Sequence, residues 1–73
     1  MSPEKLAYMA NQIGKFFAHQ KHEQAVASIA THVRQFWDPR MRRDMLAHLD
    51  DPAVHLDPPV REALGQLREQ AAA

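Results

Sequence analysis

The sequence predicts an all-α fold, an antiparallel helical hairpin followed by two shorter helices. Apolar residues recur at helical spacing in two long stretches, and the second repeats the first with a shift of 20 residues. At three of the four places where a side-chain oxygen stands directly before a proline, Ser2-Pro3, Asp38-Pro39 and Asp57-Pro58, a helix-patterned stretch follows. That pairing opens helices, because the oxygen accepts from the first free amides while proline lacks only an N–H that would have no partner there. The predicted helices cover about 3–18, 23–37, 39–49 and 58–69, within one domain spanning 1–73.

In the first helix Leu6, Met9, Ala10, Ile13, Phe16 and Phe17 share one face and are assigned to the core. Ala7, Gly14 and Ala18 form an adjoining strip of small residues. Glycine inside a helix costs about 1 kcal/mol relative to alanine, a loss that close approach of another helix at Gly14 would offset. Tyr8 points the other way, beside Asn11, Gln12 and Lys15. His19-Gln20-Lys21-His22 interrupts the pattern and holds a turn.

In the second helix Val26, Ile29, Ala30, Val33, Phe36 and Trp37 answer the first set position by position, so each apolar stripe is expected to cover the other. Two copies of a pattern are too few for a solenoid. Phe36-Trp37-Asp38-Pro39-Arg40-Met41 is then a corner, with one helix ending in two aromatics and the next starting within two residues. The third helix carries Met41, Met45 and Leu49 on one face, flanked by Arg42 and His48, with Arg40 and Arg43 on the opposite side. Asp50-Asp51-Pro52 stops it, and the last helix buries Val60, Ala63, Leu64 and Leu67.

Composition narrows the function. A chain of 73 residues buries little surface per residue, and without cysteine it has no disulfide, thiolate zinc site or cysteine-ligated cluster to stiffen it. Small domains of this kind gain stability by binding something. Nine basic residues balance nine acidic ones, which argues against a reader of the phosphate backbone. No apolar run approaches the roughly 20 residues that cross a bilayer. Met1-Ser2-Pro3-Glu4 lacks the basic start and apolar core of a signal peptide, so the chain is expected in the cytoplasm, away from membranes.

The chemistry-bearing residues favour binding over catalysis. His19 and His22 can share a helix face, yet no third ligand stands near them. His48 and His55 bracket Asp50 and Asp51, but aspartate beside proline is an ordinary helix boundary. Ser28 precedes His32 by one turn, with no acid on that face to orient the imidazole. Phe36 reads as core, closing the hairpin against Met41 and Met45. Trp37 reads equally as core or as interface, since tryptophan and arginine are enriched in binding hot spots. The candidate partner-binding residues are Trp37, Arg40, Arg42, Arg43 and Tyr8, the arginines suited to forking onto carboxylates or carbonyls of a larger protein.

The start Ser2-Pro3-Glu4-Lys5-Leu6, with Met9-Ala10-Asn11-Gln12-Ile13 and Phe16-Phe17, and the block Phe36-Trp37-Asp38-Pro39-Arg40-Met41-Arg42 resemble the delta subunit of cytoplasmic NAD-dependent formate dehydrogenases. The resemblance covers roughly residues 2–68. It implies an accessory subunit without catalytic, cofactor-binding or metal-ligating residues of its own. The complex it implies oxidises formate at a molybdenum or tungsten pterin centre and passes electrons through iron-sulfur clusters and FMN to NAD. The implied partners are the larger subunits, the catalytic one foremost, and the implied role is assembly and stability of the holoenzyme. The alternative it leaves open is a maturation factor that assists insertion of the pterin-metal cofactor.

Overall fold

Helices α1 (Pro3–Phe16), α2 (His22–Phe36), α3 (Pro39–Ala47) and α4 (Pro58–Ala72) make up the computed structural model, which describes residues 1–72. No strand occurs among the described residues, so the fold is all-α. Two starts carry the caps expected of them: Ser2 Oγ accepts from Lys5 N–H at 3.2 Å, and Asp38 Oδ1 accepts from Met41 N–H at 2.8 Å. At the third, Arg61 N–H donates to the Asp57 carbonyl at 2.9 Å, closing the first turn of α4.

The ends fall short of the apolar pattern. Phe17 leaves helical geometry at φ −99°, ψ 8°, and the tighter bonds Ala18 N–H to Lys15 O (3.2 Å) and Gln20 N–H to Phe17 O (3.0 Å) turn the chain toward α2. At the end of α3, His48 Nδ1 lies 2.8 Å from the Asp44 carbonyl and supplies a partner for one of the last free carbonyls.

The core joins all four helices. Leu6, Ala10, Val26, Ile29, Val33, Met45, Leu49, Val60, Ala63 and Leu64 are buried in one cluster, with Met9, Ile13 and Met41 half-buried at its margin. Two expectations need correction here. The last helix is not short, since α4 and α2 each have 15 residues, and only α3, with 9, is. Nor do α1 and α2 simply cover each other: α4 is the main partner of α2, while α1 rests on α2, α3 and α4 together. The approach of α4 to α1 is closest at Gly14, where a side-chain methyl would overlap Val60 Cγ2 of α4. The missing side chain at Gly14 therefore lets α4 come close to α1, which also keeps its contact with α2.

The two aromatic pairs divide. Phe16 and Phe36 were both expected inside and are 74% and 71% exposed, whereas Trp37 is buried at 6% and Phe17 is half-buried. Neighbours on a helix point about 100° apart, so one stripe cannot bury both members of such a pair. Trp37 stands just past α2 with extended backbone, φ −84° and ψ 137°, and its indole joins the core beside α3 and α4 residues.

The connection from α3 to α4 is ordered by side chains that hold its backbone. Asn11 of α1 donates through Nδ2 to His55 O at 2.9 Å and accepts from Asp57 N–H at 3.0 Å. Arg61 Nη1 donates to Leu49 O at 2.7 Å, and Val54 is buried beneath the segment.

Candidate partner-binding surface

The sequence-predicted residues occupy separate faces. Tyr8, 64% exposed on α1, borders a shallow hollow with Asn11, Ala53 and His55. Arg40 lines another hollow together with Asp38 and Asp44. Arg42 and Arg43 line a third, between α3 and α4. Trp37, expected equally as core or interface, is buried in the core of the free chain, and its neighbour Phe36 presents the large apolar surface at this corner. The sharp turn thus gathers these residues in sequence without gathering them on one surface.

Arg42 has an internal task. Its Nη1 donates to Arg34 O at 2.7 Å and to Trp37 O at 3.1 Å, carbonyls at the end of α2 that the helix itself leaves free. A cation there also complements the negative end of the helix dipole. Arg40 and Arg43 make no hydrogen bond or ion pair among the described residues.

A surface that the candidate residues do not include is built by the C-terminal end of α1 and one side of α2. Phe16 and Phe17 meet edge to face with centroids 5.1 Å apart, Phe17 lies 6.3 Å from the His32 ring, and His32 lies 4.7 Å from Phe36 at a tilt of 37°. Phe17, His32 and Phe36 line an open groove whose floor includes Ala27, Ser28 and Thr31. This aromatic ladder has a signal in the sequence. Two adjacent aromatics end each stripe, and helical geometry requires one of each pair to turn away from the core.

The chemistry of that groove is apolar contact. Ser28 and His32 share it, but the Ser28 hydroxyl donates to Gln20 Oε1 at 2.8 Å rather than to an imidazole nitrogen. His22 Nε2 pairs with Glu62 Oε2 at 3.1 Å across α2 and α4, in the open, and His48 is held by Asp44. Among the described residues no three histidine or carboxylate side chains converge as metal ligands. No described helix is long and apolar enough to cross a membrane.

Neither a curated protein nor a solved structure matches the chain. The family described as NADH-dependent formate dehydrogenase delta subunit FdsD matches residues 5–64, a stretch that runs from the first turn of α1 into α4 and so takes in the two aromatic pairs, the Asp38-Pro39 corner and the arginines of α3. With that match extending over most of its length, the chain belongs to the family of formate dehydrogenase delta subunits.

Proposed function

We propose that the chain is a non-catalytic accessory subunit of a cytoplasmic formate dehydrogenase, docking on a larger subunit, the catalytic one foremost, and supporting assembly and stability of the holoenzyme. The observation that carries this reading is the aromatic ladder from Phe16 to Phe36, whose two ends lie about three-quarters in water. Large aromatics are the side chains whose burial contributes most at interfaces, and a subunit of a complex has a partner to bury them. Phe36 takes the contact role considered for Trp37, which acts from behind by fixing the end of α2. Tyr8, Arg40 and Arg43 are exposed on other faces, where a larger subunit that wraps the domain would reach them, and Arg42 keeps donors that its carbonyl bonds leave free. The molybdenum or tungsten pterin, the iron-sulfur clusters and FMN belong to the larger subunits in this reading.

The test is a pull-down of the tagged chain from cells that make the remaining subunits, with subunit stoichiometry, metal content and formate-dependent NAD reduction scored on the same sample. Fixed stoichiometry with metal-loaded, active enzyme is the expected result. Recovery of metal-free catalytic subunit alone would replace assembly by cofactor maturation, and no recovery would remove the docking role.

A further inference from the structure

The trough between α3 and α4 combines an apolar floor with an unbalanced charge. Leu46, Ala47 and Ala71 form its floor, and the main hollow encloses about 520 Å³. A second hollow shares Arg42, Leu46 and Ala71 with it, so the two adjoin. Around this floor stand Arg34, Arg42, Arg43 and Arg68, and no described carboxylate lines either hollow. The whole chain has nine cationic and nine acidic side chains, so four guanidiniums here are a local excess. Among the described residues, the carboxylate that pairs with one of them is Asp50, 2.9 Å from Arg68.

Much of this rim is oriented in advance. Arg42 is fixed by Arg34 O and Trp37 O, Arg68 by Asp50, and Arg34 Nη1 reaches Gln70 Oε1 at 3.4 Å. Each guanidinium has five N–H donors in a planar fork, so these bonds leave further donors free for a ligand. Arg43 has made no bond within the described chain. A cationic rim around aliphatic carbon is complementary to a segment with carboxylates on either side of a leucine-like side chain. A nucleic acid would use the arginines but not the floor, and a chain of zero formal charge lacks the extended positive field such a ligand seeks.

We infer that the α3/α4 trough is a second docking site, which receives an acidic amphipathic segment of a larger formate dehydrogenase subunit. The inference rests on the accessory-subunit reading and assigns this trough a partner of defined chemistry, separate from the aromatic ladder.

The experiment places a photo-crosslinking benzoylphenylalanine at Ala47 of the full chain, made together with the other subunits, and maps the crosslinked peptide after irradiation of the purified complex. In parallel, retention of Arg43→Glu in the complex is compared with wild type. The expected crosslink falls in a larger subunit, within a stretch bearing at least two Asp or Glu beside aliphatic residues. Retention of Arg43→Glu should fall about tenfold, the effect of setting like charges against each other, with unchanged melting of the free chain. Wild type retained, Arg43→Glu retained equally and a crosslink to a neutral or basic stretch would overturn the trough assignment while leaving the accessory role standing. Loss of wild-type retention on nuclease treatment would overturn it in favour of a phosphate ligand. Failure of wild type to be retained at all would strike the accessory role itself, and the inference with it.

Discussion

The two glycines lie in helices of similar length and should respond to alanine in opposite ways. At Gly65, in α4, a Cβ meets nothing within 4 Å, so Gly65→Ala should simply collect the helix-propensity difference of about 1 kcal/mol. For a domain of this size that is a rise in Tm of about 4–8 °C. At Gly14 the new methyl would overlap Val60 Cγ2, while the Ile29 Cδ1 atom at 3.8 Å is in ordinary contact. Val60 is fully buried and β-branched, so in a helix it has one strongly preferred rotamer and no free direction in which to swing. Overpacking of this kind costs about 1–3 kcal/mol. After subtraction of the propensity gain, Gly14→Ala should be neutral to destabilising by about 2 kcal/mol.

The two variants should therefore differ by about 1–3 kcal/mol, at least about 4 °C, in thermal melts followed by far-UV circular dichroism. Val60→Ala in the Gly14→Ala background removes the colliding methyl, and the pair should show a favourable coupling of about 1 kcal/mol or more. If Gly14→Ala stabilises as much as Gly65→Ala, helices α1 and α4 do not meet at Gly14 and the packing described above is wrong.

Three further outcomes follow from the same contacts. Trp37→Ala should cost about 3–5 kcal/mol and abolish most helicity of the free chain, whereas Phe36→Ala should leave its helicity intact and reduce its recovery with the other subunits. Asn11→Ala removes both bonds to the backbone at 55–57 and should cost about 1–3 kcal/mol in chemical denaturation, with an increase in proteolytic nicking of that connection. Arg42→Ala should destabilise the free chain by about 1–2 kcal/mol through its two carbonyl bonds, while Arg43→Ala should stay within about 0.5 kcal/mol of wild type.

Features that depend on neighbours in sequence are readable without coordinates, and features that depend on the third dimension are not. Ser2 and Asp38 cap because their partners lie three residues on, a distance the chain itself sets. Leu6 and Val26, or Ala10 and Ala30, are buried as the two matched stripes require. The partner of Gly14 is different, since the strip of small residues says only that something comes close, and α4 arrives from 46 residues further along. Asn11 looks like a solvent residue beside Tyr8, and its two bonds to a distant connection leave no trace in the sequence. Arg42 is the hardest case. Three arginines within four positions suggest one binding cluster, yet the carbonyls of Arg34 and Trp37 take one of them as a cap, and Asp38 and Asp44 stand beside another.

The exposed phenylalanines connect the economy of the fold with its role in a complex. Burying a phenylalanine contributes about 1.5–3 kcal/mol, and a core of this size rarely supplies more than about 3–5 kcal/mol in all. Phe16 and Phe36 thus hold back a contribution comparable to the net stability of the domain, and docking would recover it. Folding and docking can be separated on this ground, because a polar replacement at either position removes apolar surface that the free fold does not bury. Phe16→Ser and Phe36→Ser should therefore leave the melting of the free chain nearly unchanged and improve its solubility, while lowering its stoichiometry in the purified enzyme. Were they instead to lower melting and leave stoichiometry intact, the ladder would be a part of the core that the free chain needs, and the contact with the larger subunits would lie on another face.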